Sequence, residues 1–398
     1  MTSDLHDTRE SNDGIDLDGI NQISNLVIEG ETDYSSLFYT NLEQKLRDEF
    51  YPYDYLRPVH PTTPITWDDL EPFEHHDKAL LADPTNNYKN LFRSAVSVKH
   101  LTPKIGTEIV GVNLADLDDV QRNELALLIA RRVVVFFRHQ TEVDPYKLLD
   151  LGRYYGRLHK HPNGPLVKAY QHDLEEVLPI WSCGFKDPYE RIAPEKLWHS
   201  DISFEAQPPC YTFLKMLQAT NSGGDTLWTS GYAIYDMLSP GLQQYLENLT
   251  ASHSSFEQAQ ESLRNNNKPR RPPIETVHPV IRTHPVTGWK SVYVNPTFTK
   301  SIVGVPKTES DAILAYLFSL ITSTHEAMVR FRWETDDIAI WDNRASIHFG
   351  SFGYFPERRH AIRVTPQAEA PYFDPKGTSQ QAEIDKRIQQ QIGQNDTK

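Results

Sequence analysis

An imidazole and a carboxylate stand two residues apart in residues 197–202, which read LWHSDI. Along an extended segment successive side chains point to opposite faces, so His199 and Asp201 would share one face and Ser200 would take the other. Two histidines and one carboxylate, with further positions left open, form the ligand set that suits non-haem Fe(II) oxygenases. The stretch therefore offers two of three such ligands, although a histidine two residues from an aspartate also recurs by chance.

The candidate for the third ligand is His348, which follows a predicted strand that ends at Trp341. His199 and His348 are far apart in the chain, which fits a fold whose two facing sheets bring distant strands to one ion. Alone, His348 could equally be a surface histidine or a core histidine with a satisfied ring. The three candidate ligands support a metal site only when their order in the chain, their spacing and their strand alternation are taken together.

Two arginines supply a second element of the chemistry. Arg359 and Arg363 are four residues apart on a predicted strand, so they share a face and Arg358 points away from it. Two guanidinium groups directed inward are costly unless anions meet them, and guanidinium binds carboxylate as a bidentate fork. The pair predicts two anions, a dicarboxylate co-substrate and an acidic group of the substrate. The alternative is that both form ordinary salt bridges in an acidic chain.

These groups need strands to hold them, and short apolar runs between turn residues fill much of the chain. Strands are predicted over 133–137, 211–217, 226–228, 277–283, 291–294, 329–333, 338–341 and 358–365. The first run is apolar throughout, as in a strand buried on both faces. Many short strands with few helices predict a mainly β protein, a double-stranded β-helix (jelly roll, cupin-like) with flanking helices.

The flanking helices are indicated by capping residues. The predicted signals are Asp118 before a helix over 120–129, Asp144 and Pro145 opening a helix that Gly156 closes, and Thr308 with Asp311 opening a helix over 312–320. A further helix is predicted over 37–50.

Composition divides the chain into three regions. Residues 1–95 are predicted to be an acidic extension, disordered at first and then an arm on the core, because the first fifty residues hold twelve acids and three bases. Residues 96–368 are predicted to form the jelly-roll domain. Residues 369–398 are a polar, glutamine-rich tail, predicted to be frayed or weakly helical.

The net charge, the cysteine count and the lengths of the apolar runs exclude several classes of protein. A net charge of −14 argues against a general nucleic-acid binder, whose affinity comes from Lys and Arg. Two cysteines, Cys183 and Cys210, are too few for a disulfide framework or a structural zinc site and fit a reducing compartment. No apolar run approaches a membrane span, and no secretory signal is visible at the start. We therefore expect a cytoplasmic protein with neither a membrane nor a nucleic-acid partner.

Several segments together resemble the taurine/2-oxoglutarate dioxygenase family, and more closely its fungal sulfonate dioxygenase branch. They are 105–109 (IGTEI), 198–201 (WHSD), 223–231 (GGDTLWTSG), 280–285 (VIRTHP), 337–344 (DIAIWDNR) and 358–359 (RR). The resemblance runs from about Ser97 to Val364, nearly all of the predicted domain. It is highly specific for the family and much less so for the substrate.

The resemblance implies roles for ten residues, a metal ion, a co-substrate, an oxidant and a substrate. It implies Fe(II) on His199, Asp201 and His348, 2-oxoglutarate on Thr226 and Arg359 with Trp341 beside it, and O2 as oxidant. For the substrate it implies a sulfonate held by His161, Arg363 and the main-chain N–H of Ile202, with Phe298 as an aromatic wall. Family members are often dimers or tetramers, so a homo-oligomer is expected by analogy.

Two positions depart from the taurine enzymes. The tyrosine and the asparagine that help to hold the taurine amine correspond to Gly164 and Glu195. A carboxylate at Glu195 could pair with an ammonium group or repel a more anionic substrate. The sequence thus supports recognition of a sulfonate better than recognition of the taurine amine.

The predicted reaction is hydroxylation of the carbon next to sulfur in an alkyl sulfonate, which releases sulfite and an aldehyde, with succinate and CO2 as co-products. This reaction would serve sulfur assimilation. Two alternatives stay open: the same chemistry on an alkyl sulfate ester or an aryloxy acid, and a metal-binding jelly roll without turnover.

Overall fold

Short strands and helices form the regular structure in a computed structural model that describes residues 50–61, 63–182, 193–264, 267–354 and 357–395. In chain order the strands are β1 (Pro58–Val59), β2 (Ser97–His100), β3 (Thr107–Val110), β4 (Val134–Phe137), β5 (Leu166–Val167), β6 (Leu178–Ser182), β7 (Tyr211–Gln218), β8 (Thr226–Ser230), β9 (Thr250–Ser254), β10 (Glu275–Pro279), β11 (Ile281–Thr283), β12 (Lys290–Val292), β13 (Thr299–Ile302), β14 (Met328–Phe331), β15 (Ile338–Asp342), β16 (Ser346–Gly350) and β17 (Arg359–Val364).

Seven α-helices lie in the same described ranges. They are α1 (Asp119–Arg132), α2 (Pro145–Tyr155), α3 (Gly231–Met237), α4 (Pro240–Leu246), α5 (Phe256–Arg264), α6 (Lys307–Ser323) and α7 (Gln380–Asn395). None of them is long and apolar enough to cross a bilayer. The helix predicted over 37–50 falls almost wholly outside the described residues.

Two sheets face each other and form the jelly roll. The larger sheet has the order β2-β3-β4-β15-β7-β17-β6, in which only the β3–β4 pair is parallel. The smaller sheet has the order β14-β8-β16 and is antiparallel. Strand alternation separates the cores, because Ala339 and Trp341 pack between the sheets while Ile338 and Ile340 pack under the helices. This burial on both faces explains the apolar run of β4.

The first two predicted caps are present in the structure. Asp118 accepts a hydrogen bond from the N–H of Gln121 at 2.9 Å, and the Gln121 side chain reciprocates, which completes a capping box at α1. Asp144 caps α2 through the N–H of Lys147 at 2.8 Å. Both helices cover the outer face of the larger sheet and supply its second core.

The cap predicted at Thr308 is wrong. Helix α6 begins at Lys307, two residues before the start that a cap at Thr308 would set, because Pro306 has extended backbone angles and its carbonyl accepts the N–H of Ser310 at 2.9 Å. Thr308 thus lies inside the first turn, and Asp311 pairs with Lys307 at 2.6 Å instead of capping. The single strand predicted over 277–283 is two strands, β10 and β11, which are separated at Val280.

Chain on both sides of the jelly roll packs into it. Tyr51 is buried, and its Oη lies 2.7 Å from Nδ1 of His360. Nη1 of the fully buried Arg344 donates to Oδ2 of Asp77 at 2.6 Å and to Oε2 of Glu369 at 3.4 Å. The tail continues into helix α7. Residues outside the predicted domain therefore contribute buried charges to it.

Candidate active site

His199 and His348 face each other between two strand segments. Each N–H bonds the carbonyl of the other residue, at 2.9 Å and 2.8 Å, and the ring centroids are 4.3 Å apart. Oδ1 of Asp201 lies 3.4 Å from Nε2 of His199 and 3.7 Å from Nε2 of His348. One ligand atom from each of the three residues lies within 4.8 Å of the others, so the donor set fits one divalent metal ion.

The protonation states of the three side chains suit metal binding. Nδ1 of His199 donates to the carbonyl of Leu197 at 2.8 Å, which leaves Nε2 as the free lone pair. Burial, and then the neighbouring His199, lower the pKa of His348 to about 3, so this ring is neutral. Burial alone would raise the pKa of Asp201, but Arg363 and the two imidazoles hold it well below its usual range.

A buried polar network behind Asp201 orients its carboxylate. Oδ2 of Asp201 accepts the hydroxyl of Thr212 at 2.6 Å, and Thr212 in turn accepts Nδ2 of Asn343 at 2.8 Å. Oδ1 of Asn343 receives the N–H of Asp201 at 3.2 Å and Nε1 of Trp341 at 3.0 Å. Neither Thr212 nor Asn343 is among the residues predicted from the sequence, although Asn343 stands inside one of the segments that carry the family resemblance.

Arg359 reaches the interior with most of its donors free. Its Nε donates to the carbonyl of Gly224 at 3.0 Å, and within the described chain neither terminal NH2 group has an acceptor, although the side chain is buried. Gly224 has φ +66°, and a Cβ there would come within 3.0 Å of Cδ of Arg359, so the turn requires glycine. A buried guanidinium with free donors is suited to bind an anion.

Thr226 lies on β8 of the smaller sheet and Trp341 on β15 of the larger one. Thr226 follows the Gly224 turn by two residues, and its Oγ1 accepts Nε1 of Trp333 at 2.9 Å, which leaves the hydroxyl proton available. Thr226 also stands two residues before Trp228, the register partner of His348. The Trp341 ring centroid is 4.8 Å from that of His348.

Arg363 shares the inner face of β17 with Arg359 and Ala361, as the alternation predicts. The register slips between His360 and Ala361, but the extra residue is on β7, so β17 keeps its alternation. Nη1 of Arg363 lies 2.5 Å from Oδ1 of Asp201, and its Nε is buried with no partner in the described chain. This guanidinium therefore lies beside the candidate metal ligands.

His161 presents one N–H toward the same region. Its Nδ1 accepts the main-chain N–H groups of Asn163 at 3.2 Å and Gly164 at 3.0 Å, so the proton of the neutral ring must be on Nε2. Burial, and then the nearby Arg363, hold the pKa of His161 well below its usual range. His161 is thus a neutral hydrogen-bond donor.

Ile202 and Phe298 complete the set of predicted substrate contacts. Ile202 is 1% exposed and has φ +42°, a conformation that costs a β-branched residue roughly 1–3 kcal/mol. Its N–H has no acceptor among the described residues. Phe298 packs edge-on against the His199 ring at 6.0 Å and against Phe204 at 5.1 Å. A cavity of about 870 Å³ adjoins Phe298.

The two departures from the taurine pattern lie in different surroundings. A Cβ on Gly164 would come within 2.4 Å of Cδ1 of Leu178, so this backbone has no room for a larger residue unless Leu178 moves. Glu195 is exposed in the short 3₁₀ turn Pro194–Leu197. Neither position brings a tyrosine or an amide to the site.

Comparisons with known proteins agree with this geometry. Residues 97–365 match the taurine catabolism dioxygenase TauD, TfdA family. A Schizosaccharomyces pombe protein, provisionally named an alpha-ketoglutarate-dependent sulfonate dioxygenase, is 40% identical over 86% of this chain and 87% of its own. A Saccharomyces cerevisiae alpha-ketoglutarate-dependent sulfonate dioxygenase is 38% identical over 78% of both chains. The crystal structure of a taurine dioxygenase from Burkholderia xenovorans superposes with a TM-score of 0.58 at 31% identity, covering 72% of this chain and 95% of that one.

Proposed function

Since this chain belongs to the taurine catabolism dioxygenase TauD, TfdA family, we propose that it is an Fe(II)- and 2-oxoglutarate-dependent dioxygenase that acts on an alkyl sulfonate. The observation that carries the proposal is the grouping of a metal-binding triad with two inward guanidinium groups. A metal-binding protein without turnover needs the triad alone, since buried guanidinium groups are costly without anions.

His199, Asp201 and His348 would hold the metal ion, and Thr212 would keep the carboxylate of Asp201 in its orientation. An Fe(II) ion at this position supplies activation of O2, coupled to oxidative decarboxylation of 2-oxoglutarate to succinate and CO2. The two terminal NH2 groups of Arg359 would take the distal carboxylate of 2-oxoglutarate as a bidentate pair. The hydroxyl of Thr226 would donate to the same carboxylate, with the Trp341 ring beside it.

The sulfonate would be bound by three donors of different kinds. Arg363 supplies charge, Nε2 of His161 supplies a neutral N–H, and the strained Ile202 supplies a main-chain N–H. The strain at Ile202 supports this role, because sparsely populated backbone conformations cluster at functional sites. Anchoring the sulfonate fixes which carbon faces the metal, and that carbon is the one bonded to sulfur. Phe298 would limit the movement of this carbon and exclude water.

Hydroxylation of that carbon leads directly to products. The C–H bond is replaced by C–OH, and the resulting α-hydroxy sulfonate breaks its C–S bond as the hydroxyl loses its proton. The electron pair leaves with sulfur as sulfite, and the carbon becomes an aldehyde.

The decisive experiment is a screen for sulfite release across alkyl sulfonates, with Fe(II), ascorbate and 2-oxoglutarate. We expect sulfite and succinate in equal amounts. Sulfate from an alkyl sulfate ester, or a phenol from an aryloxy acid, with no sulfite from any sulfonate, would assign the alternative substrates. If Fe(II) binds but 2-oxoglutarate produces no charge-transfer band, the protein is a metal binder and the proposal fails.

Two further proposals concern the setting of the reaction. The cysteine count supports a cytoplasmic location, and sulfur assimilation is the process that release of sulfite would serve. A homo-oligomer, either dimer or tetramer, is proposed by analogy with the family alone.

A further inference from the structure

One arginine bonds three carbonyls of the loop that carries His161. Nη1 of Arg270 donates to the carbonyl of Gly164 at 2.7 Å and to that of His161 at 3.3 Å. The main-chain N–H of Arg270 donates to the carbonyl of Pro162 at 2.8 Å. Arg270 is 3% exposed, and no carboxylate of the described chain lies within ion-pair distance of it. A buried cation of this kind is costly, so its contacts with the loop need an explanation.

The remaining carbonyl of the loop is bonded as well. The carbonyl of Asn163 accepts Nδ2 of Asn267 at 2.7 Å and Oγ of Ser262 at 3.0 Å. The Asn163 side chain donates to Oε1 of Gln258 at 3.1 Å. All four carbonyls of residues 161–164 therefore have donors from the segment that ends at Arg270.

The loop turns its own donors toward the histidine ring. The N–H groups of Asn163 and Gly164 both bond Nδ1 of His161, and they point there because the outer segment occupies the loop carbonyls. The orientation of His161 and the placement of its proton on Nε2 thus depend on the segment outside the loop.

The N-terminal arm holds Arg270 in place. The N–H of Trp67 donates to the carbonyl of Arg270 at 2.8 Å, and the guanidinium carbon lies 5.0 Å from the centroid of the Trp67 ring. Such a cation–π contact is strongest when the cation is desolvated, as the buried guanidinium of Arg270 is. Trp67 lies thirty residues before the stretch that matches the family.

We propose that Arg270, held by Trp67 of the N-terminal arm, is a positioning residue for recognition of the substrate sulfonate. It fixes the loop 161–164 so that Nε2–H of His161 faces the anion. This inference rests on the proposed function, since it takes His161 to be a sulfonate donor. It gives the arm a part in substrate specificity, although the arm contributes no atom to the reaction.

The test compares Arg270→Gln and Trp67→Ala with the wild-type protein in the sulfite-release assay. We expect both variants to raise KM for the sulfonate, Arg270→Gln by about tenfold, the equivalent of one lost hydrogen bond. KM for 2-oxoglutarate and its charge-transfer band with Fe(II) should stay unchanged, which also shows that each variant is folded. Trp67→Phe keeps an aromatic face and should restore most of the affinity for the sulfonate.

Phe73→Ala is the matched control, because Phe73 is another arm residue with a guanidinium, that of Arg157, at 4.2 Å from its ring. It loosens the arm away from the loop and should leave KM for the sulfonate near the wild-type value. Equal increases of KM for the sulfonate in Phe73→Ala and Trp67→Ala, or equal increases for both substrates in Arg270→Gln, would overturn the proposal.

Measurements in a His161→Ala background test the role of His161 separately from that of Arg270. We expect Arg270→Gln to add no further increase in KM for the sulfonate there, because its effect passes through His161. An increase in His161→Ala but not in Arg270→Gln overturns the role of Arg270 alone. An unchanged KM in His161→Ala overturns the assignment of His161, and the role of Arg270 with it.

Discussion

Removing the hydroxyl of Thr212 should weaken metal binding although Thr212 is not a proposed ligand. Thr212→Val keeps the shape of a buried side chain and deletes the 2.6 Å hydrogen bond to Oδ2 of Asp201. Hydrogen bonds to charged groups contribute about 1.5–3 kcal/mol, and each 1.4 kcal/mol is a tenfold change in affinity. We therefore expect Fe(II) affinity to fall roughly ten- to hundredfold, as for other outer partners of metal ligands.

The assay is an anaerobic titration of Fe(II) at saturating 2-oxoglutarate, followed by the charge-transfer absorbance. Thr229→Val is the matched control, because Thr229 is also fully buried and its hydroxyl donates to the carbonyl of Ile321 at 2.8 Å, away from the triad. Thr212→Val loses the hydrogen bonds to Asp201 and from Asn343, and Thr229→Val loses the one to Ile321, but only Thr212→Val should shift the Fe(II) midpoint. An unshifted midpoint, or an equal shift in Thr229→Val, would refute the proposed orientation of Asp201.

Three further predictions concern the two inward arginines and two buried histidines. Arg363→Ala should raise KM for the sulfonate more than KM for 2-oxoglutarate, and equal losses in steady-state kinetics would contradict its role. Arg359→Gln should do the reverse, with KM for 2-oxoglutarate raised at least tenfold, roughly the value of one charged hydrogen bond; an unchanged KM would remove Arg359 from the co-substrate site. Burial lowers the pKa of both His278 and His360 to about 4. The unfolded chain therefore binds more protons between pH 6.5 and 4, and stability should fall as pH falls through that window, by up to about 3 kcal/mol per histidine. Denaturant unfolding of the metal-free protein should show this slope, and His360→Gln should flatten it; an unaltered slope would count against the contribution of His360.

Alternation along strands made much of the candidate site predictable. The shared face of Arg359 and Arg363 follows from a period of two, and it is preserved because the irregularity falls on β7. The pairing of His199 with His348 could be expected only in outline, since it depends on which strands become neighbours. A single sequence shows where a strand lies but not its register.

The hydrogen-bond network of Thr212 and Asn343 could not be predicted from the sequence, for the same reason. Thr212 lies near Asn343 because Trp341 pairs with Thr212 across the β15–β7 ladder, and nothing within either strand specifies that register. The position of Arg270 depends on contacts between segments about a hundred residues apart. The wrong cap at Thr308 has a local cause, since Pro306 with extended backbone angles already ends the preceding loop.

The pair of carboxylates on Arg344 bears on how this enzyme could be shortened. Asp77 precedes residues 97–365, the segment that matches the family, and Glu369 follows it, so a fragment trimmed to that segment would keep the buried guanidinium and lose both of these partners. Of the three carboxylates around Arg344 the fragment would keep Asp342, 2.7 Å from Nη2, and the loss of the other two should make it less stable than the longer chain. The folded unit accordingly extends beyond residues 97–365 on both sides.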